Sequence, residues 1–96
     1  MSSKNDPKAF YAKLKIQLEE TTAFPALYMY KFIVPSSDEK IEEVHEIFNN
    51  LGAVINTKKS AKGKYTSVTI TANMESADAV IEKYKEASTI EGIISL

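Results

Sequence analysis

The order of strand-like and helix-like segments is the feature that most constrains how this chain can fold. An apolar and aromatic run predicts a strand over 27–34, and alternation of apolar and polar residues predicts one over 65–72, with shorter strands expected at 53–60 and 93–96. Helical spacing predicts helices between the first and second strands and between the third and fourth. Because crossovers are right-handed, this β-α-β-β-α-β order predicts a four-stranded antiparallel sheet with both helices on one face. The expected fold class is therefore α+β, a ferredoxin-like βαββαβ sandwich.

Capping and turn residues indicate where the predicted helices and the hairpin turn begin and end. Ser36 and Glu39 have the S-x-x-E spacing of a capping box for the first core helix. Gly52 stands where that helix needs a left-handed terminal residue, and Ser76 is placed to cap the second core helix. Gly63 is expected to supply the positive φ of the hairpin turn between the two middle strands.

The first strand has two rows of side chains, and their alternation predicts which row is buried. Tyr28, Tyr30, Phe32 and Val34 are expected to face the helices. Met29, Lys31 and Ile33 then face the other side of the sheet. That side must be either covered or solvated.

An additional segment precedes this pattern. Residues 1–23 are predicted to form an N-terminal extension with an amphipathic helix at about 7–20, which Asp6 caps, and residues 24–96 to form a single ferredoxin-like domain. Apolar side chains recur every four residues along this helix, at Phe10, Leu14 and Leu18. We expect the helix to lie over the uncovered sheet face, or else to provide a surface for self-association. Together with Met29 and Ile33, these three side chains are the candidates for an interaction surface.

Several classes of chemistry are excluded by residue types that the chain lacks. It has 96 residues with no Cys and one His, and its twelve basic residues are all lysines. Disulfides, thiolate nucleophiles, zinc sites made by Cys and His, and iron–sulfur clusters are therefore not expected. His45 lies among glutamates on a helix flank, and we interpret it as a surface residue paired with Glu42. We expect no enzyme activity, no cofactor and no metal.

The location of the protein follows from similar exclusions. Residues 1–24 contain lysines and acids but no long apolar run, so neither a signal peptide nor a transit peptide is expected. The longest apolar stretches are far shorter than the roughly 20 residues that span a membrane. We therefore expect a cytoplasmic protein with no membrane association.

Charge is distributed unevenly along the chain, although the net charge is only −1. Residues 38–51 and 75–96 are acidic, whereas residues 52–74 carry four lysines and no acid. This lysine hairpin supplies the candidates for ligand or partner binding: Lys58, Lys59, Lys62, Gly63, Lys64, Tyr65 and Ser67. Nucleic acid is the less favoured ligand, because only one aromatic side chain would face outward there and the chain has no Arg.

The motifs also resemble those of a known family. Phe24-Pro25, Tyr30-Lys31, the segment 60–70 (SAKGKYTSVTI), Tyr84 and the closing Gly92-Ile93-Ile94 resemble the YbeD-like family of small bacterial proteins of unknown function. The resemblance covers about residues 24–96. It implies a domain similar in topology to ACT-type regulatory domains, which bind small molecules and pair through their sheets.

These observations together predict a non-enzymatic regulatory or protein-interaction module. The expected partner is an unidentified protein or a small molecule, and a homo-oligomer is an alternative arrangement. The second hypothesis is weak binding of nucleic acid or a phosphate ligand through the hairpin at 58–65.

Overall fold

The computed structural model describes residues 7–96 and has the predicted element order after an N-terminal helix. The elements are α1 (Pro7–Thr21), β1 (Ala26–Pro35), α2 (Asp38–Phe48) with a 3-10 turn (Asn49–Leu51), β2 (Val54–Lys59), β3 (Tyr65–Met74), α3 (Ala77–Ala87) and β4 (Ile94–Ser95). The predicted α1 cap, Asp6, lies outside the described residues. Within residues 7–96, no helix is both long enough and apolar enough to cross a membrane.

The sheet has the strand order β2-β3-β1-β4, with antiparallel pairing throughout. The long β1 and β3 strands form its centre and pair along their whole length, from Ala26 opposite Met74 to Pro35 opposite Tyr65. β4 pairs only with Phe32 and Ile33 of β1. This topology confirms the α+β, ferredoxin-like prediction.

The core lies between one face of the sheet and the helices. Tyr30, Phe32 and Val34 are fully buried and Tyr28 is half-buried, which confirms the predicted inward row of β1. Burying aromatic rings at successive inward positions removes much apolar surface from water and stabilises the sandwich. α2 contributes Val44 and Phe48 to this core, and α3 contributes Ala77, Val80, Ile81 and Ala87.

The helix caps differ from the prediction at one of two positions. Ser76 caps α3 as expected, and its side chain accepts a hydrogen bond from the Ala79 N–H at 3.1 Å. The predicted cap of α2 is wrong by one residue, because Ser37 accepts the Lys40 N–H. The Ser36 hydroxyl instead lies 2.8 Å from the hydroxyl of Thr66 on β3. A contact distant in sequence thus competes with the local capping pattern.

The expectation that α1 covers the other sheet face is wrong. Leu18 is buried in the same core as the inward row of β1, so α1 lies on the helical side of the sheet. It packs beside α3, where Lys15 forms an ion pair with Asp78 at 3.2 Å. The Lys85 ammonium lies 5.5 Å from the centre of the Tyr11 ring. Within the described chain, the opposite face of the sheet therefore has no helix over it.

Candidate interaction surface

The uncovered side of the sheet is called here the open face. Residues that pair across antiparallel strands point to the same side, so the outward row of β1 identifies its neighbours. The open face consists of Leu27, Met29, Lys31 and Ile33 from β1, Tyr65, Ser67, Thr69, Thr71 and Asn73 from β3, Val54, Asn56 and Lys58 from β2, and Ile94 from β4. The predicted outward positions of Met29, Lys31, Ile33 and Tyr65 are thereby confirmed.

Large apolar side chains are exposed on this face. Leu27 is 72% exposed, Met29 56% and Val54 62%, and Ile94 lies beside Ile33 across the β1–β4 pair. Single exposed apolar residues are ordinary, but several on one flat sheet are typical of a surface that contacts another molecule. Between them run the small polar side chains of β3.

The charges on the open face are all of one sign. Lys31 and Lys58 point outward from β1 and β2, and the strand residues that form the face include no Asp or Glu. Many acids lie instead on the helices, as in the first turn of α2, where Asp38 and Glu39 follow the cap. The net charge of −1 thus conceals a basic, partly apolar face opposite an acidic one.

The hairpin candidates are divided between two sides of the sheet. Lys58 pairs with Ser67 and lies on the open face, whereas Lys59 pairs with the buried Thr66 and lies on the helical side. The remaining lysines, Lys62 and Lys64, lie in the connection between β2 and β3. Because Lys58 and Lys59 lie on opposite sides of the sheet, the four lysines do not share one surface.

Backbone and side-chain hydrogen bonds hold the hairpin. The Gly63 N–H donates to the Ser60 carbonyl at 2.8 Å, with a φ of +72° at Gly63, as predicted. The Ser60 hydroxyl accepts the Tyr65 N–H at 3.2 Å, and the Ser67 hydroxyl donates to the Lys58 carbonyl at 3.3 Å. The Ser67 hydrogen is therefore engaged within the hairpin. Tyr65 remains exposed at its edge.

The five apolar candidates also separate. Leu18 is buried in the core and is not available to a partner, whereas Leu14 is half-buried and lines a groove beside α1 that is described below. Phe10 is exposed on α1, on the opposite side of the sheet from Met29 and Ile33. The predicted interaction surface is thus wrong for Leu18, and for Leu14 it stays a prediction. Helical spacing alone groups Phe10 with them, but packing turns the Tyr11 side of the helix inward.

His45 is exposed on α2, next to a shallow depression lined by Glu42, Glu46, Asn49 and Gly52. No ion pair joins it to Glu42 in the part of the chain that the structure describes, so the expected pairing is wrong.

A second feature lies on the helical side, where α1 passes the β1–β4 edge. A groove of about 300 Å³ is lined by Phe10, Tyr11, Leu14, Tyr28, Tyr84, Ser95 and Leu96. On its wall the hydroxyls of Tyr28 and Tyr84 lie 2.8 Å apart. Burial raises the pKa of Tyr84, and the hydrogen bond with Tyr28 raises it further, so this phenol is neutral at physiological pH.

Sequence reasoning missed three large apolar residues of the open face: Leu27, Val54 and Ile94. Leu27 could have been found, because it lies two residues before Met29 and shares its side. Val54 and Ile94 required the pairing register, which spacing within a single strand does not provide.

Comparison with known proteins supports the fold and places the chain in a family. A UPF0250 protein of Edwardsiella ictaluri (strain 93-146) is 32% identical over 81 residues, which cover 81% of this chain and 93% of that relative. A UPF0250 protein of Shewanella sediminis (strain HAW-EB3) is 31% identical over 83 residues, covering 83% and 94%. The solution structure of protein HP0495 from H. pylori matches with a TM-score of 0.63 and 18% identity, covering 79% of this chain and 86% of that chain.

The HP0495 likeness supports the fold alone, whereas the bacterial relatives confirm the resemblance to the YbeD-like family. Residues 19–96 match the family model described as "Protein of unknown function (DUF493)". This match begins in the last turn of α1 and extends through β4. The chain therefore belongs to the DUF493 family.

Proposed function

We propose that the protein is a non-enzymatic interaction module that binds an acidic protein segment through its open face. One observation carries this proposal: the face combines exposed apolar side chains with lysines and has no carboxylate among its strand residues. An interface of this kind excludes water from the apolar groups while acidic groups of the partner pair with Lys31 and Lys58.

The charge on the open face favours another protein over a second copy of this chain. Two open faces brought together would place Lys31 and Lys58 of each copy opposite a surface without acids. Like charges placed together across an interface oppose association. The acids of α2 and α3 lie on the helical side, so they do not relieve this repulsion in a symmetric face-to-face pair.

Photo-crosslinking in bacterial cells tests this function. A photoreactive amino acid at Met29 samples the open face, and the same group at Glu42 on α2 is the matched control on the helical side. We expect discrete protein adducts from position 29 that are absent from position 42. Adding Lys31→Glu and Lys58→Glu to the position 29 protein should abolish those adducts. Equal labelling from both positions, or adducts that survive the charge reversal, would contradict the proposal.

The alternative function is weak binding of a nucleic acid or phosphate ligand by the hairpin. It is supported by the exposed Tyr65 ring on the same face as Lys58. This alternative is weakened by Lys59, which lies on the other side of the sheet. The three remaining lysines would give a log–log salt slope of at most about −2.1 with a single strand. Titration of labelled single-stranded RNA at about 50 mM salt decides this alternative, because no binding under that condition removes it.

A further inference from the structure

One edge of β1 is only partly covered by β4. β1 has ten residues, but β4 pairs only with Phe32 and Ile33, and the Leu96 N–H then donates to the Lys31 carbonyl at 2.9 Å. Within the described residues, no strand pairs with this edge of β1 between Ala26 and Tyr30. We call this stretch the free edge.

Alternation of the backbone shows which groups the free edge presents. The Ser36 N–H bonds to Lys64 on the β3 side, whereas the Lys31 carbonyl accepts Leu96 on the β4 side. Successive residues of a strand direct their N–H and C=O groups to opposite sides, so Leu27 and Met29 point the same way as Lys31. Their two N–H and two C=O groups therefore face away from the sheet, along the line in which β4 would continue.

The free edge also lacks the features that protect the opposite edge of the sheet. The outer strand β2 carries Lys58 and Lys59, and charged side chains on an edge strand discourage pairing with another chain. Residues 26–30 read ALYMY, with no charge and no proline. Leu27 and Met29 are moreover among the most exposed apolar residues of the protein.

The groove beside α1 can receive side chains of a strand that pairs with the free edge. Its lining includes Tyr28 of the free edge, Ser95 and Leu96 at the end of β4, and side chains of α1, so it borders the free edge. Side chains of an added strand would alternate between the groove and the open face. On the open face, a residue opposite Met29 is a diagonal neighbour of Lys31, so an acid there would reach its ammonium.

We propose that the partner presents an extended segment that adds to the free edge of β1 as a further strand of the sheet. The segment spans about five residues, with apolar side chains directed into the groove and an acidic residue beside Lys31. This inference rests on the proposed function for the existence of a protein partner. It adds how that partner is recognised: by backbone hydrogen bonds to Leu27 and Met29.

Amide hydrogen exchange of the full chain, followed by NMR, tests the free edge directly. The amides of Leu27 and Met29 should exchange markedly faster than those of Tyr28 and Tyr30, which face β3. Slow exchange of Leu27 and Met29 at every protein concentration would mean that the chain closes its own edge. Slow exchange that appears only at high concentration would mean that a second copy occupies it. Either result overturns the inference.

The binding step is tested with random decapeptides displayed on phage and selected on the full chain. A selected peptide should slow exchange at Leu27 and Met29, and N-methylation of its backbone should weaken binding at least about tenfold. Met29→Pro removes one edge N–H but spares the β3 ladder, so it should weaken binding about as much. Met29→Thr retains the N–H but also shortens the side chain on the open face, so it is the matched control, and Met29→Pro should bind more weakly than Met29→Thr.

The two proposals fail in different ways. If selected peptides bind without slowing exchange at Leu27 and Met29, strand addition is wrong while the open-face function stands. If no peptide binds but position 29 still crosslinks to a protein, strand addition is again wrong. If the crosslinks are absent as well, the proposed function fails too.

Discussion

At the scale of the residue, Tyr30 shows how a polar side chain is accommodated in an aromatic core. Its ring centre lies 4.8 Å from that of Phe48 and 4.9 Å from that of Tyr84, in tilted and edge-on contacts. Its hydroxyl donates to the Val80 carbonyl at 3.1 Å, so this buried polar group has a partner. Burial raises the pKa of Tyr30 well above its ordinary value near 10.

This pKa shift predicts a loss of stability in alkali. Below pH 10 Tyr30 is neutral in both the folded and unfolded states. Above pH 10 it ionises in the unfolded state first, so the free energy of unfolding falls, by up to about 1.4 kcal/mol per pH unit from this group. Urea denaturation between pH 8 and about pH 11 should show a shallower fall for Tyr30→Phe. Tyr65→Phe, which removes a surface phenol, is the matched control, and an unchanged profile for Tyr30→Phe would contradict the prediction.

Gly92 is the glycine at which packing and backbone conformation act together. Its φ is +82°, and a Cβ there would lie 2.9 Å from the Pro35 side chain. Gly92→Ala should therefore reduce the free energy of unfolding by about 2–3 kcal/mol, through left-handed strain and displacement of Pro35. Gly52→Ala is the control, because its φ is also positive but a Cβ would meet no atom within 4 Å. Its expected loss is about 1 kcal/mol, and equal losses in thermal or urea denaturation would contradict the contact argument.

At the scale of the element, α1 is the helix whose position the sequence did not determine. It packs beside α3 through Leu18, the Lys15–Asp78 ion pair and the contact between Tyr11 and Lys85. The exposed ion pair contributes little, because solvent screens it, so burial of apolar surface is the main attachment. Whether residues 1–23 act as an extension separate from 24–96 remains a prediction.

Two substitutions on α1 distinguish its buried side from its exposed side. Leu18→Ala should lower the free energy of unfolding by about 2–4 kcal/mol, because Leu18 is only 7% exposed and its removal leaves a cavity. Phe10→Ala should cost less than about 1 kcal/mol, because that ring is 60% exposed. Chemical denaturation of both variants measures this difference. A larger loss for Phe10→Ala would mean that the helix packs in the opposite orientation.

At the scale of the whole molecule, charge is separated across the sheet. The open face is basic and partly apolar, and the helices behind it carry most of the acids. This separation opposes symmetric pairing of two open faces, and it would orient the acidic partner proposed above as it approaches.

Self-association should accordingly increase with salt. At about 50 mM salt the lysines of two open faces repel each other, whereas about 1 M salt shortens the screening length to about 3 Å. Sedimentation velocity should therefore show a monomer at low salt and more association at high salt. Lys31→Glu should associate more than the unaltered chain at low salt, because the introduced carboxylate then attracts Lys58 of the second copy. Stronger association of the unaltered chain at low salt would contradict this prediction.

The candidate site was only partly predictable from the sequence. Alternation within β1 identified Met29, Lys31 and Ile33 correctly, because the two-residue period of a strand is local. Val54 and Ile94 joined them only through pairing with Thr71 and Ile33, residues distant in sequence. The division of Lys58 and Lys59 between two sides of the sheet, in contrast, follows from the two-residue period, because they are neighbours in one strand.

The sequence by itself determined the order of helices and strands, the inward row of β1 and the positive φ values at Gly52 and Gly63. These follow from the spacing of apolar residues and from backbone sterics over a few residues. Only the tertiary structure decided where α1 packs, which serine caps α2, what forms the open face and how little of β1 is covered by β4. Those outcomes depend on contacts between segments that are distant in sequence. A local sequence pattern does not determine which of the competing contacts has the lowest free energy.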